Sequence, residues 1–376
     1  MVERFQQTEV GLIPIDWEIK SLHEIADINP NNGKGLPDEF VYIDLESVTQ
    51  GQLVKINIVR KENAPSRAQR VVLSGDILFQ TVRPYQKNNL YFLRKGNYIA
   101  STGYAVIRAR VDSGFLYAQL HTDKFVKTVI DLCTGTSYPA INPNVLSTIK
   151  IPLPTTLAEQ AAIATALNDA DALIAQLEKL ITKKRAIKQG AMQELLRPKE
   201  GWEVKKLGKI CNKITTGKLD ANAMKPDGEY RFYTCAKDFY LIDKYAFDDE
   251  ALLISGNGEN VGYVHYFKGK FNAYQRTYVL TGFSINIQFI KIYLDKYLAA
   301  RIEVEVNAGN TPYIRMGTLT EMEIYFPKSE IEQTHIAQIL SDMDSEIQEL
   351  ENQLKKYKML KHGMMQQLLT GKIRLI

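Results

Sequence analysis

Cysteine and histidine are scarce in this sequence of 376 residues. The three cysteines, Cys133, Cys211 and Cys235, are scattered and odd in number, which is typical of reduced cytosolic thiols and not of a disulfide framework. The five histidines also stand far apart, and no group of His, Cys and Asp residues has the spacing of metal ligands. The sequence therefore predicts no metal site.

Motifs of nucleotide and cofactor chemistry are missing as well. There is no Walker phosphate loop, and Gly256–Gly262 has the wrong glycine spacing for a dinucleotide fingerprint. Asn142-Pro143-Asn144 lacks the second proline and the aromatic residue of the amino-methyltransferase motif. We therefore expect no catalytic residue and no bound cofactor in this chain, and binding becomes the more probable function class.

Long apolar runs are absent, and so is a strong excess of one charge. No stretch of 18 apolar residues and no signal-peptide pattern occur, so we expect a cytoplasmic protein without a membrane partner. The formal net charge is only +4, but Lys55–Lys95 holds nine Lys and Arg residues and two acids. Such a cluster is most often solvated surface; its interleaved Asn, Gln, Ser, Thr and Tyr residues also favour contact with DNA.

What the sequence does contain is an internal repeat. Pro154–Leu196 aligns without a gap on Pro327–Leu369 at a shift of 173 positions, and 18 of the 43 pairs are identical. The sequence before each copy is repeated more loosely, from Trp17-Glu18 and Trp202-Glu203 onwards. A repeat of this kind predicts two similar units in one chain, with the two tryptophans as core anchors.

Each copy of the repeat predicts one long helix. Thr156-Leu-Ala-Glu159 and Ser329-Glu-Ile-Glu332 are capping-box sequences, in which the hydroxyl caps the helix and the Glu reaches back to the cap. Apolar residues then recur at alternating steps of four and three, which is the pattern of a coiled-coil seam. A seam of about 60 Å, for roughly 40 residues at 1.5 Å each, requires a partner. We expect the two helices to pair antiparallel within the molecule.

These features predict an α+β fold with a pseudo-twofold internal repeat. Two globular mixed α/β domains, residues 1–153 and 198–326, are expected to alternate with two spacer helices, residues 154–197 and 327–376. Short strand-like runs separated by Gly, Pro and Asn turns fill both domains. Gly114–Leu132 and Ile287–Val306 are helix candidates, and a polar loop follows each of them.

The candidate DNA contacts lie in loops, because Arg can pair with guanine, Asn and Gln with adenine, and Lys and Tyr with phosphate. Any single one of them could equally be an exposed turn. In the first domain they are Ser66, Arg67, Gln69, Arg70, Thr81, Arg83, Tyr85, Lys87, Asn88, Ser137 and Tyr138. In the second domain they are Thr216, Lys218, Asn257, Asn260, Tyr274, Gln275, Arg276, Asn310, Thr311, Tyr313 and Arg315.

The chain resembles the specificity subunit of a type I restriction–modification enzyme. The resemblance covers nearly the whole chain. It rests on both helix starts (Glu159-Gln160 and Glu332-Gln333), both helix ends (Gly190–Leu196 and Gly363–Leu369), the tryptophan segments and the turn Ser74–Leu78.

This resemblance implies two target-recognition domains, each reading one half of a bipartite site in double-stranded DNA. It implies two modification subunits, which use S-adenosylmethionine to methylate adenine, and restriction subunits joined through them, which use ATP and Mg. The chain itself would catalyse nothing. Two alternatives stay open: a DNA-modifying enzyme or nuclease with its own active site, and a coiled-coil scaffold without sequence-specific DNA binding.

Overall fold

The computed structural model describes residues 5–31, 35–305 and 313–375. They form two compact units, Met1–Glu178 with Asn352–Ile376 (unit 1) and Lys179–Glu351 (unit 2). The helices in chain order are α1 (Leu22–Ile25), α2 (Ser113–Gln119), α3 (Asp123–Asp131), α4 (Pro143–Ser147), α5 (Leu157–Leu195), α6 (Leu207–Ile210), α7 (Ile287–Glu305), α8 (Met316–Thr320) and α9 (Glu330–Leu368).

Unit 1 is built on two four-stranded sheets, one antiparallel and one mixed. Its strands are β1 (Phe5–Thr8), β2 (Gly11–Pro14), β3 (Trp17–Ser21), β4 (Ala26–Ile28), β5 (Glu39–Ile43), β6 (Val48–Thr49), β7 (Gln52–Leu53), β8 (Asn57–Arg60), β9 (Ala68–Val72), β10 (Ile77–Gln80), β11 (Leu90–Tyr91), β12 (Tyr98–Ser101), β13 (Tyr104–Ala109) and β14 (Lys150–Pro154). The larger sheets have the orders β11-β10-β13-β4 and β8-β5-β12-β9, and three two-stranded sheets pair β1 with β2, β3 with β14 and β6 with β7.

Unit 2 repeats this plan with one larger sheet. Its strands are β15 (Glu203–Lys206), β16 (Cys211–Thr216), β17 (Tyr230–Tyr233), β18 (Tyr240–Ile242), β19 (Phe247–Ser255), β20 (Val264–Ala273), β21 (Thr277–Phe283) and β22 (Glu323–Phe326). Six of them form the sheet β16-β21-β19-β20-β17-β18, and β15 pairs with β22 as β3 pairs with β14. The strand-like runs of the sequence thus fall on strands in both units.

One predicted helix is divided in the structure. Gly114–Leu132 forms α2, which ends at Gln119, and α3, which Thr122 caps by accepting a hydrogen bond from the Phe125 N–H at 3.3 Å. The matching candidate in unit 2 is the single helix α7, whose range ends at Glu305. Val306 lies outside the described residues.

The tryptophans anchor both cores. Trp17 is 2% exposed and meets Phe115 edge to face at a centroid distance of 6.4 Å. Trp202 is half-buried and meets Phe289 in the same way at 6.1 Å. Edge-to-face contact is a favoured geometry of aromatic pairs. These contacts join β3 to α2 in unit 1, and the residue just before β15 to α7 in unit 2.

The start of each long helix is held by a buried glutamine. Gln160 donates to the Pro154 carbonyl at 2.8 Å and accepts from the Asp112 N–H at 3.0 Å. Gln333 makes the same pair of bonds, to the Pro327 carbonyl at 2.8 Å and from the Asn286 N–H at 2.9 Å. Each glutamine therefore ties a long helix to the residue that caps α2 or α7.

The capping box is only half formed at Glu159. The Thr156 hydroxyl accepts from the Glu159 N–H at 3.3 Å, as predicted. The Glu159 carboxylate, however, is 2% exposed and accepts from the guanidinium of Arg374, which also binds Asp16 at 2.8 Å. Both carboxylates raise the pKa of Arg374, so it stays charged. The expected return bond of Glu159 to its own cap is replaced by this ion pair.

Ion pairs join α5 to α9 inside each unit. In unit 1, Asp171 pairs with Lys361 at 2.5 Å and Glu178 with Lys358 at 2.7 Å. Position numbers rise along one helix as they fall along the other, so the two segments run antiparallel. In unit 2, Asp344 pairs with Lys188, and Glu351 pairs with Arg185 at 2.6 Å. Every one of these residues has its counterpart at the shift of 173.

The division into unit 1 and unit 2 follows from how the described residues pack. The division of the sequence into two domains and two spacer helices, which follows the repeat, is a different division and stays a prediction. Each compact unit contains one globular domain together with a segment of α5 and a segment of α9.

Candidate nucleic-acid interface

Two candidate loops of unit 1 are joined at their bases. The first follows β10 and the second precedes α4. The Ile141 N–H donates to the Thr81 carbonyl at 3.0 Å, and the Arg83 N–H donates to the Pro139 carbonyl at 2.7 Å. A bridge between Val82 and Ala140 completes the junction. Residues 81–89 and 134–140 therefore lie side by side, and we call the surface formed by their exposed side chains loop face 1.

Arg83 is the central cation of loop face 1. Its guanidinium carbon lies 4.3 Å from the centre of the Tyr138 ring, which is within the range of a cation–π contact. Tyr138 itself is 64% exposed. Arg83 has φ +54° and ψ +53°, a left-handed conformation that is uncommon for a residue with a side chain. Tyr85, 50% exposed, and Ser137, also exposed, extend the same face.

The other cation of the loop is already paired. Lys87 donates to the Asp123 carboxylate at 2.9 Å, and this pairing lowers the pKa of Asp123. Asn88 accepts from the Gln50 N–H at 3.1 Å. The Lys87 ammonium and the Asn88 side-chain oxygen, which were predicted to contact DNA, are thus bound to neighbouring parts of unit 1.

Thr81 is buried, which removes its side chain from loop face 1. It is 5% exposed, and its hydroxyl donates to the Gly103 carbonyl at 2.8 Å. The sequence pattern could not reveal this, because the partner of the Thr81 hydroxyl, the Gly103 carbonyl, lies 22 positions away. Its role here is to hold the loop to the turn between β12 and β13.

Ser66, Arg67, Gln69 and Arg70 lie at the start of β9. Ser66, Arg67 and Gln69 are exposed, and the Gln69 amide donates to the Ser66 carbonyl at 2.7 Å. The Thr102 N–H donates to the Arg67 carbonyl at 2.9 Å, which places this strand beside the same turn between β12 and β13. Arg70 is half-buried, with its Nε atom enclosed.

A buried polar network supports loop face 1, and the search for exposed polar residues missed it. Gln80 is 2% exposed, and its side-chain amide donates to the Val82 carbonyl at 2.7 Å. Its backbone N–H donates to the side-chain oxygen of Asn89 at 2.8 Å. His121 continues the network: its Nδ1 lies 2.8 Å from the Tyr117 carbonyl and its Nε2 lies 3.3 Å from the Asn89 amide nitrogen. Nδ1 therefore carries the proton and Nε2 accepts. Burial lowers the pKa of His121 to about 4, so it is neutral at pH 7.

Unit 2 repeats the junction with different side chains. The Ile314 N–H donates to the Gly256 carbonyl at 2.8 Å, and the Gly256 N–H donates to the Arg276 carbonyl at 2.9 Å. In unit 1 the corresponding bonds run from Ile141 to Thr81 and from Thr81 to Gly103. Arg276, which is exposed, thus stands where unit 1 has a glycine. We use the name loop face 2 for the candidate residues around this junction, which are Asn257, Asn260, Tyr274, Gln275, Arg276, Tyr313 and Arg315.

Asn257 and Asn260 are connected through Cys235. The Cys235 thiol donates to the Asn257 side-chain oxygen at 3.1 Å, and the Asn260 amide donates to the Cys235 carbonyl at 3.1 Å. Cys235 was not among the candidates, because a lone cysteine carries no motif. It brings the loop after β17 to loop face 2.

The remaining candidates of unit 2 lie around this centre. Gln275, exposed, donates to Asp220 at 2.5 Å, while Tyr274 and Thr216 are half-buried and Lys218 is exposed. Gly217 is fixed by space, because a Cβ atom there would lie 1.8 Å from the Ala273 carbonyl oxygen.

The Tyr313 and Arg315 side chains meet on loop face 2. Two nitrogens of Arg315 donate to the Tyr313 hydroxyl, at 3.2 and 2.6 Å, and Tyr313 is bridged to Asn257. Asn310 and Thr311 lie outside the described residues.

Within the described residues, no group of three or more His, Cys, Asp and Glu side chains could hold a metal ion. Among the helices in those ranges, none combines the length and the apolar character needed to cross a membrane.

The family described as "Type I restriction modification DNA specificity domain" matches residues 14–189 and again residues 199–357. The chain belongs to this family. The resemblance that the repeat indicated is therefore confirmed, and the two matched segments are two DNA specificity domains of mixed helix and strand content.

Several relatives are named as specificity subunits. The type I restriction enzyme EcoDI specificity subunit of Escherichia coli is 36% identical over 45% of this chain and 37% of its own length. The MjaVIII specificity subunit of Methanocaldococcus jannaschii is 28% identical over 57% of this chain and 49% of its own. This chain thus spans less than half the length of those two proteins. The MjaIX specificity subunit of the same archaeon is 21% identical over 98% of this chain and 96% of its own.

Solved structures share the fold. A crystal structure of the type I restriction–modification S subunit from M. genitalium has a TM-score of 0.66 at 17% identity, over 94% of this chain and 96% of that one. A chain solved in work on assembly and conformational transition of the type I R-M system has a TM-score of 0.56 at 21% identity, over 96% and 99%.

Proposed function

We propose that this chain is the DNA-recognition subunit of a type I restriction–modification complex, with each unit reading one half of a bipartite site. The observation that supports this most is the repeated loop junction. The same backbone bonds hold Thr81 in unit 1 and Gly256 in unit 2, while the side chains around them differ. A shared backbone arrangement that carries two different sets of polar side chains suits two domains that recognise different DNA sequences.

We further propose that α5 and α9 form an antiparallel intramolecular coiled coil that acts as a spacer between the readers. Its support is the set of ion pairs inside each unit. Asp171 with Lys361 and Asp344 with Lys188 are the same pair repeated at the shift of 173, as are Glu178 with Lys358 and Glu351 with Arg185. In each helix the acidic members of these pairs come earlier in the sequence than the basic members. The acids of one helix can therefore meet the bases of the other only if the helices run antiparallel.

The partners follow from the same proposal. Two modification subunits bind the spacer helices and supply S-adenosylmethionine for adenine methylation; restriction subunits join through them and use ATP and Mg. This chain contributes sequence selection and works in the cytoplasm, where the DNA is. Among the described residues no metal-ligand cluster competes with this assignment.

A reconstitution tests this function. The full chain is combined with its modification subunit, S-adenosylmethionine and a DNA library, and the methylated adenines are sequenced. We expect a split motif that requires both proteins. Methylation or cleavage by the purified chain alone would instead favour the enzyme alternative. Methylation without sequence selection in the presence of both proteins would favour the scaffold.

A further inference from the structure

Arg83 differs from the other cation of its loop, because no acidic residue in the described ranges pairs with it. Lys87 is paired with Asp123, whereas within the described residues no carboxylate pairs with Arg83. Its recorded side-chain contact is the face of Tyr138, at 4.3 Å. The residue as a whole is half-buried, and its buried Nε atom has no hydrogen-bond partner in the part of the chain that the structure describes. The positive charge of Arg83 thus remains available to a ligand.

The position of Arg83 is also held firmly. The turn Pro84–Gln86 has a residue in the left-handed conformation at each end. Arg83, which precedes it, has φ +54°, and Lys87, which follows it, has φ +53°. Each costs roughly 1 kcal/mol or more and persists only where the surroundings impose it. Here the surroundings are the Arg83-to-Pro139 backbone bond and the buried side chain of Gln80, which binds the Gln86 side chain at 2.9 Å.

We propose that Arg83, oriented by Tyr138, reads a guanine in the half-site bound by unit 1; this rests on the proposed function. Guanine presents two acceptors, N7 and O6, at its edge in the major groove, and they match the paired donors of one guanidinium. Stacking on an aromatic ring fixes the guanidinium plane, which suits a base edge of fixed orientation. A phosphate accepts from many directions and needs no such restraint, and a lysine could serve it equally.

Arg315, one of the two arginines of loop face 2, is arranged differently. Nε and one terminal nitrogen of Arg315 donate to the Tyr313 hydroxyl, at 3.2 and 2.6 Å, so the donors used for a guanine edge are partly engaged. The guanine assignment made here concerns Arg83, and because Arg83 lies in unit 1, its variants should leave the second half-site unchanged. Retained selection of that second half also shows that a variant is folded.

The test uses the full chain with its modification subunit on a library randomised in both half-sites. We expect Arg83→Ala and Arg83→Lys to lose selection of one G·C pair in the first half-site by about 10- to 100-fold, and Tyr138→Leu to weaken selection of the same pair. Arg197→Ala, which removes an exposed arginine just after α5 that is not among the candidate contacts, should select as the natural chain does.

Three results would overturn the assignment. Unchanged selection in both Arg83 variants would exclude a base contact. Weaker methylation of all sites, with a smaller salt dependence and the same motif, would mark a phosphate contact. If the natural chain itself gave no sequence selection, the proposed function would fail first. If it selected a split site and only the Arg83 result failed, the proposed function would stand without this contact.

Discussion

Gln160 and Gln333 show how much a single side chain can account for in a repeat. They are 3% and 2% exposed, and each satisfies one backbone carbonyl and one backbone N–H at the start of a long helix. An unsatisfied buried polar group costs about 1 to 3 kcal/mol. Their identity in the two copies therefore has a structural reason, independent of any contact with DNA or partners.

Replacing Gln160 by Ala should lower the free energy of unfolding by about 2 kcal/mol or more, because the Pro154 carbonyl and the Asp112 N–H lose their partner. Denaturant unfolding followed by circular dichroism measures this. Gln176→Ala, an exposed position on the same helix, is the control and should change stability by less than about 0.5 kcal/mol. Equal effects of the two substitutions would contradict the role given to Gln160.

His121 predicts a loss of stability in mild acid. Its pKa is about 4 in the folded protein, while an unfolded histidine titrates near its ordinary value of about 6.5. Between these values the unfolded chain binds more protons, so stability falls as the pH falls from 6.5 to 4, by about 3 kcal/mol in total. The lysines facing the ring, Lys361 and Lys87, lower its pKa further, and Asp171 opposes them.

The measurement is the unfolding midpoint across this pH range for the natural chain and for His121→Gln. The variant should show a smaller dependence on pH. His265, whose pKa is also lowered by burial, is present in both proteins, so the difference between them reports His121. Identical pH profiles would show that His121 does not carry the effect.

Some site residues were beyond reach of the sequence because their partners are remote. Glu159 binds Arg374, 215 positions away, and no local pattern announces that contact. Thr81 is buried by a bond to Gly103, and the left-handed backbone of Arg83 depends on Pro139. By contrast, Arg83 and Tyr138 were both singled out from composition alone, and the structure brings them into contact.

At the scale of elements, the long helices were the most predictable part. Their repeat, cap and seam are all local patterns, and α5 and α9 begin within a few residues of the predicted caps. The short strands were found as runs, but their order in the sheets depends on long-range pairing, such as the parallel pairing of β5 with β12. The break between α2 and α3 was missed because Thr122 was taken as helix interior.

The ion pairs between the helices predict a charge-swap effect. Asp171→Lys should destabilise the protein by a few tenths to about 1 kcal/mol, because it faces Lys361, and adding Lys361→Asp should restore most of the loss. Asp344 and Lys188 form the matching pair for an independent second cycle. Thermal unfolding of the single and double variants gives the coupling energy. Strictly additive effects in both cycles would argue against these contacts in solution.

At the scale of the whole molecule, the proposed spacer helices should set the gap between the half-sites. One heptad adds about 10 Å of helix, or about three base pairs. Inserting a heptad in register into both helices should lengthen the preferred gap by a few base pairs. Two inserted residues would rotate the seam by roughly 200° and should disrupt pairing of the helices.

Methylation of DNA sites with varied gaps measures this preference. DNA twist complicates the outcome, because three extra base pairs also turn the second half-site about the duplex, so binding can weaken as the preferred gap grows. A folded heptad variant with an unchanged gap preference would leave the helices as docking surfaces only.

The function proposed for this chain is the selection of a bipartite DNA site for its partner enzymes. The most direct measurement is a genome-wide map of methylated adenine in cells that hold the modification subunit, with and without this chain. We predict methylation at one motif of two short halves separated by a gap of constant length, present only when the chain is expressed. The same methylated motif in cells without the chain, or no methylation in cells with it, would contradict the account.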